Sequence, residues 1–140
     1  MMPLKALIGA VLVQVALTLA LLLWLGVSRA RSARRGEVRI KDIALSSQAW
    51  SDRIKQIANA YANQLELPVL FYVAVLLAIM TGTLDWIVVG LSWAFVAMRL
   101  WHAYIHVTHN RVLQRFQVFI GGFAVLTVLW LYVGLRVMTA

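Results

Sequence analysis

The chain has 140 residues, of which 63% are hydrophobic and only 13% are charged. A soluble domain carries about a quarter charged residues, so the composition predicts an integral membrane protein, with residues 1–140 forming a single domain. The lack of cysteine excludes disulfides, thiolate catalysis and thiolate-bound metals. The net charge of +8 lies mostly beside apolar stretches, as topology signals do, which argues against nucleic acid as the partner.

Apolar stretches near the roughly 20 residues of a membrane span predict an all-α bundle of four transmembrane helices in up-down order. The predicted spans are residues 5–27, 54–81, 85–107 and 112–136. The first is too long for the apolar core of a signal peptide, so we expect it to be retained, with Gln14 packed against another helix. The basic segment 28–53 predicts a cytoplasmic loop resting on anionic lipid, with both termini outside. Within it, Ser46, Ser47 and Ser51 are the candidate N-caps of the next helix.

The second predicted span carries a stripe of polar residues. Its uncharged part, Leu67 to Met80, is about 21 Å long as a helix, which is short of the roughly 30 Å membrane core. The preceding turns must therefore enter the membrane, and their polar residues recur at steps of three and four, on one helix face: Asp52, Gln56, Asn59, Asn63 and Glu66. Pro68 removes a backbone hydrogen bond and predicts a kink.

The third predicted span repeats this pattern. Residues 86–98 are too few to span alone, and the next turns carry Arg99, His102 and His106 on one face. Counted from the outer ends at about 1.5 Å per residue, Glu66 and Arg99 come to similar depth on neighbouring helices. They form either a structural ion pair or part of a ligand site. We predict a polar pocket in the cytoplasmic third of the bundle, near Arg115 at the start of the fourth span.

These motifs resemble the family called MAPEG, the membrane-associated proteins in eicosanoid and glutathione metabolism, over about residues 50 to 137. In the second span, Asn63-x-x-Glu66 followed by Pro68 is similar to the family motif. In the third and fourth spans, the resemblance is to the prostaglandin E synthase branch and lies in Arg99, His102, His106, Arg111 and Arg115. The sequence from Glu66 to Tyr72 looks like a bacterial branch, which implies the inner membrane of a bacterium.

The resemblance implies a homotrimer with glutathione between neighbouring subunits and a transferase or peroxidase reaction on a lipophilic electrophile. It implies that Glu66 meets the glutathione amino group, that Arg99 braces the site and that Arg115 stabilises the thiolate, as a nearby cation does. The candidate binding residues are Asn59, Asn63, Glu66, Arg99, His102, His106 and Arg111, and the candidate catalytic residue is Arg115.

Two other interpretations use the same residues. His102, His106 and His109 allow a metal interpretation, because residues at i and i+4 share a helix face, but one helix supplies all three and no second acidic ligand pair accompanies them, so we predict no metal. Glutathione-binding members of the family usually carry an arginine about one turn before the motif asparagine, where this chain has Ala58 and Asn59. They also carry tyrosines where this chain has His106 and, nearby, Phe119. The alternative function is therefore a non-catalytic membrane protein, namely a scaffold, an accessory subunit or a binder of another polar head group.

Overall fold

The computed structural model describes residues 1–139, and all the regular structure within that range is helical. In chain order the elements are α1 (Met2–Arg34), the short α2 (Ile40–Ile43), α3 (Asp52–Ala62), a 3-10 turn (Asn63–Leu65), α4 (Leu67–Met80), α5 (Trp86–Val107) and α6 (Val112–Thr139). Four helical stretches are long and apolar enough to cross a membrane: Met2–Arg34, Asp52–Met80, Trp86–Val107 and Val112–Thr139. The predicted class, an all-helical protein with four membrane spans, is therefore confirmed.

Helix α1 is longer than the predicted first span because residues 28–34 contain no helix breaker and are rich in alanine and arginine, which favour helix. Pro3 lies in its first turn, where a proline costs no hydrogen bond. The residues of α1 that are buried recur at helical spacing and form one stripe: Leu7, Ala10, Gln14, Leu21, Leu25 and Ser32. After the helix ends, Gly36 adopts φ +70, the left-handed conformation typical of helix C-termini.

The second span is interrupted rather than merely kinked. Helix α3 ends at Ala62, a 3-10 turn follows, and α4 restarts with Pro68 in its first turn and Glu66 at its N-cap position. A proline inside a continuous helix would clash with the preceding turn, whereas it fits a helix start. The predicted stripe through Asn63 and Glu66 on one continuous helix is therefore wrong beyond Ala62, and Gln64 becomes the buried polar residue of this segment.

The main apolar core lies in the half of the bundle that holds the chain termini, and all four spans contribute to it. Its buried residues are Leu7, Ala10, Phe71, Ala74, Val75, Ala78, Val88, Val89, Phe95, Val96, Leu126, Leu129 and Val133. Phe71 and Phe95 stack there with ring centroids 5.0 Å apart. Two smaller apolar clusters, around Ala60 and around Ile57, close the opposite half. The buried polar residues of the spans lie mostly between these two regions.

Asp85 joins the turn between α4 and α5 to the end of α6. One carboxylate oxygen accepts hydrogen bonds from the backbone N–H groups of Ile87 and Val88 at 3.0 Å each, which caps α5. The other accepts from the Tyr132 hydroxyl and from Arg136 Nη1, the latter at 2.9 Å. Burial raises the pKa of Asp85, but these hydrogen bonds and the Arg136 charge outweigh it, so that the pKa lies below its ordinary value of 3.8.

Candidate functional site

Arg99 fastens α5 to the interruption of the second span. Its side chain is fully buried, with 1% of its surface exposed, and its Nη2 donates a hydrogen bond of 2.8 Å to the backbone carbonyl of Asn63. That carbonyl lies at a helix end, where the last C=O groups have no partner in the helical ladder. The guanidinium therefore ties α5 to the interruption of the second span.

Glu66 lies on the surface of the chain, and it forms no ion pair within residues 1–139. The backbone at Glu66 leaves the helical conformation, with φ −95 and ψ −104, because α4 starts afresh there. No ion pair within 4 Å joins Glu66 and Arg99 inside the described part of one chain, although the Glu66 carboxylate is close enough to act electrostatically on the Arg99 guanidinium. Their pairing across an interface stays a prediction.

A buried pair of glutamines joins α1 to the 3-10 turn. Gln14 Nε2 donates a hydrogen bond of 3.0 Å to Gln64 Oε1, and Gln64 Nε2 donates to the carbonyl of Ala60 at 3.1 Å. Both side chains are at most 1% exposed. The predicted packing of Gln14 against another helix is confirmed. Gln64 was not predicted, because the continuous helix assumed from the sequence places it off the polar stripe.

A cavity of about 180 Å³ opens between the 3-10 turn, α5 and α6. Three predicted site residues, Asn63, His102 and Arg115, line it together. Val112, Phe116 and Phe119 complete its wall from α6. The sequence signal for these three is their mutual spacing of four and three residues, which places them on one face of α6.

Arg115 is the cation of this cavity, and a residue in the turn before α6 fixes its position. Asn110 Oδ1 accepts a hydrogen bond from Arg115 Nη1. Asn110 adopts φ +46, a left-handed conformation that asparagine tolerates better than most residues. One of the five N–H groups of Arg115 is thus engaged by Asn110, and the guanidinium borders the cavity half-buried. The arrangement presents a positioned positive charge to whatever occupies the cavity.

Two histidines lie on one face of α5, and one of them, His102, lines the cavity. The rings of His102 and His106 are 5.6 Å apart between centroids, and each side chain is 3% exposed. Their Nδ1 atoms are buried and have no hydrogen-bond partner within the described part of the chain. Buried polar atoms are usually paired, so these nitrogens, like Arg99 Nε on the same face of α5, are exceptions that stay unsatisfied inside the described part of the chain. No group of three side chains suited to a metal occurs among residues 1–139.

The predicted site residues separate into three groups. Asn63, His102 and Arg115 line the cavity, and Arg99 and His106 lie on the face of α5 that His102 occupies, about one turn to either side. The remaining three side chains, those of Asn59, Glu66 and Arg111, are exposed and do not line it. Asn59 contacts the cavity residue Asn63 through its backbone, because its carbonyl accepts a hydrogen bond of 3.1 Å from Asn63 Nδ2.

The fold and this cavity define a class, namely a four-span helical membrane protein with a polar cavity beside a buried arginine. The chain belongs to the MAPEG family, whose model matches residues 7–135, so the predicted family is confirmed. Members of this family include glutathione transferases and peroxidases, and they commonly use glutathione. Searches of the curated proteins and of the solved structures found no significant match.

Proposed function

We propose that the protein is a membrane-embedded, glutathione-dependent transferase or peroxidase that acts on lipophilic electrophiles. The observation that carries this proposal is the single cavity at which Asn63, His102 and Arg115 meet. These side chains supply an amide, an imidazole and a fixed cation. Membership of the MAPEG family favours glutathione as the ligand of such a cavity.

The chemistry of glutathione matches these groups. The tripeptide carries two carboxylates, one ammonium and a thiol, so its site needs several donors and one acid. A guanidinium beside the sulfur lowers the pKa of the thiol and stabilises the thiolate. We infer that Arg115 does this, while Asn63 and the imidazoles of His102 and His106 bind the peptide. The thiolate sulfur then attacks an electrophile that enters from the bilayer beside Phe116, and the protein contributes orientation and charge stabilisation.

The same proposal includes a homotrimer. A cavity of about 180 Å³ is smaller than the roughly 300–1,000 Å³ of ordinary ligand pockets, so one chain offers only part of a site. The exposed carboxylate of Glu66 lies in a segment that spans the membrane by length and composition, where facing lipid is costly. A neighbouring subunit in a C3 trimer would cover Glu66 and Asn59 and bring them to the glutathione amino group. Native mass spectrometry that detects only monomers in mild detergent would contradict this assembly.

The proposal includes an orientation. The basic loop 28–53 faces the cytoplasm of a bacterium, both termini lie outside, and glutathione enters from the cytoplasm. The support is the concentration of arginine and lysine beside the first and second spans. A cysteine introduced by Ser32→Cys would be buried and would report poorly on the orientation, whereas Ser46→Cys places a thiol in the exposed part of the loop. If an impermeant reagent modified this cysteine in intact cells, the loop would face outward and the proposed orientation would be wrong.

The decisive test is titration of detergent-purified protein with glutathione, followed by calorimetry and by the ultraviolet absorbance of the thiolate. The wild type should bind glutathione and show thiolate absorbance near neutral pH. Arg115→Gln should lose the thiolate signal and lower turnover of a chlorodinitrobenzene about 10²–10³-fold, which is typical of removing one charge-stabilising donor. Arg34→Gln removes an exposed arginine that does not line the cavity and is the matched control.

The alternative function is a non-catalytic MAPEG protein that binds another polar head group or acts as a scaffold. One observation favours it. Phe119, near the place where glutathione-binding members usually carry a tyrosine, lines the cavity and stands 6.0 Å from His102 between ring centroids, so this wall offers no hydroxyl. The absence of both heat and a thermal shift at millimolar glutathione would support this alternative over the enzyme.

A further inference from the structure

A second cavity, of about 150 Å³, lies between the end of α1, the segment after it and the start of α3, and none of its lining residues borders the cavity of the proposed glutathione site. Its wall on α1 is one helix face, formed by residues at intervals of four, three, one and three: Trp24, Ser28, Arg31, Ser32 and Arg35. Arg53 of α3 and Glu37 of the connecting segment also line it. The wall therefore combines cations, hydroxyl groups and an indole.

The charge in this cavity is positive, because three arginines face one glutamate there. Glu37 is engaged by Ser32, whose hydroxyl donates to it at 2.7 Å, and stands 3.8 Å from Arg35 in an exposed ion pair. Arg53 donates to the backbone carbonyl of Val107. Arg31 forms no ion pair within residues 1–139. Its guanidinium is thus the cation of the cavity that is free for an anion from outside the chain.

The position of the cavity indicates where such an anion comes from. Trp24 forms its wall at the point where the apolar part of α1 gives way to the basic part, and tryptophan is enriched at the boundary between membrane and water. The Arg53 guanidinium lies 5.1 Å from the centre of the Trp24 ring. One turn earlier, Leu19, Leu22 and Leu23 are exposed on α1. An anion bound beside Arg31 therefore lies at head-group level, next to a surface that suits acyl chains.

We propose that this cavity binds the phosphate group of an anionic phospholipid, one molecule per chain. Arg31 and Arg35 contact the phosphate oxygens, since a guanidinium matches phosphate with two parallel hydrogen bonds, and the Ser28 hydroxyl is a further donor. The acyl chains follow the exposed leucines of α1. The site differs from the general attraction of a basic segment to anionic lipid, because it depends on which arginines face the cavity and not on their number.

The test uses the full chain in mixed micelles that contain phosphatidylglycerol or, at equal total lipid, phosphatidylcholine. Native mass spectrometry counts retained lipids, and thermal melting gives the apparent affinity. The wild type should retain one phosphatidylglycerol per chain and melt higher with it. Arg31→Gln should weaken that affinity about fivefold, which corresponds to the usual value of one arginine near an anionic membrane. Arg34→Gln removes the same charge from the same helix but outside the cavity and should leave the affinity unchanged.

Glu37→Gln is a variant that should change the affinity for phosphatidylglycerol in the opposite direction. It removes the anion of the cavity while keeping an oxygen that accepts from Ser32, so phosphatidylglycerol should bind more tightly. Equal losses in Arg31→Gln and Arg34→Gln would overturn the proposal in favour of diffuse attraction. Glycerol phosphate or inorganic phosphate that stabilises the protein as well as the lipid does would overturn the assignment to a lipid. Glutathione binding is measured separately, so its failure leaves this test unaffected.

Discussion

The buried glutamine pair gives the sharpest prediction of stability. Gln14 on α1 and Gln64 in the 3-10 turn bond to each other across the bundle, and both are buried. Replacing either one by leucine leaves the amide of the other buried without this partner. Replacing both removes the polar groups together. The three variants Gln14→Leu, Gln64→Leu and the double variant therefore form a thermodynamic cycle in which the order of the effects is set by the geometry.

The two single variants should differ. After Gln14→Leu, Gln64 keeps the bond from its Nε2 to the carbonyl of Ala60, and only its Oε1 is left unpaired, at a cost of about 1–2 kcal/mol. After Gln64→Leu, Gln14 Nε2 loses its acceptor and the Ala60 carbonyl loses the donor Gln64 Nε2, so two hydrogen bonds are lost instead of one. That cost is about 2–3 kcal/mol. For a chain of this length the melting temperature should fall by roughly 2–8 °C and 4–12 °C respectively.

The double variant should recover most of the loss, since replacing both partners of a buried hydrogen bond by apolar groups is nearly neutral. Thermal melting in detergent, followed by circular dichroism, measures all three variants. The coupling energy should be at least about 0.6 kcal/mol, the average for hydrogen bonds between membrane helices. Gln117→Leu, at an exposed position of α6, is the matched control and should cost little. Additive losses in the double variant, or a smaller effect of Gln64→Leu than of Gln14→Leu, would refute the reasoning.

Three further predictions concern the ends and the interruption of the spans. Arg99→Met should destabilise the protein by about 1–3 kcal/mol in thermal melting, because the carbonyl of Asn63 loses its donor; a melting temperature equal to the wild type would contradict this. Ser51→Ala should cost about 1 kcal/mol through loss of the N-cap of α3, whereas an equal loss in Ser47→Ala would show that the cap is not the cause. Asp85 has a folded-state pKa below its ordinary value of 3.8, so its contribution is present above that value and is lost as the pH falls through the folded-state pKa. Asp85→Asn should remove that part of the pH dependence of melting, and an unchanged profile would disprove it.

Much of the fold follows from the sequence because membrane spans are set by length and apolarity, which are additive along the chain. The predicted class, the inward contact of Gln14 and the candidate cap Ser51 are confirmed. The family is confirmed as well. Each of these depends on local composition, on spacing along one helix or on a motif. None of them requires the rotational orientation of one helix relative to its neighbours.

The site was only partly predictable because it depends on how a helix is interrupted. Pro68 indicates a disturbance, but not whether the chain bends or restarts, and the choice between the two decides which polar residue turns inward. A continuous helix places Glu66 on the stripe of Asn63, whereas the restart exposes Glu66 and buries Gln64. Residues on the uninterrupted α5, such as His102, were predicted with the correct face because the helical period holds throughout that element.

The polar layer of the bundle contains two kinds of residue, and their pairing separates them. Gln14 and Gln64 bond to each other, and Arg99 binds the carbonyl of Asn63, so each of these side chains has a hydrogen bond inside the chain, although Gln14 Oε1 and Arg99 Nε are unpaired. The Nδ1 atoms of His102 and His106 are equally buried and are not satisfied there.

A bundle selected for stability alone has no use for unpaired imidazoles, since a buried polar group without a partner costs free energy that an apolar side chain avoids. The first kind of residue holds the interruption in place. Of the second kind, His102 lines the cavity, where the same interruption brings Asn63 together with Arg115. The restart of the helix at Pro68 therefore links the two, because the break that Arg99 stabilises is also the element that forms one side of the candidate site.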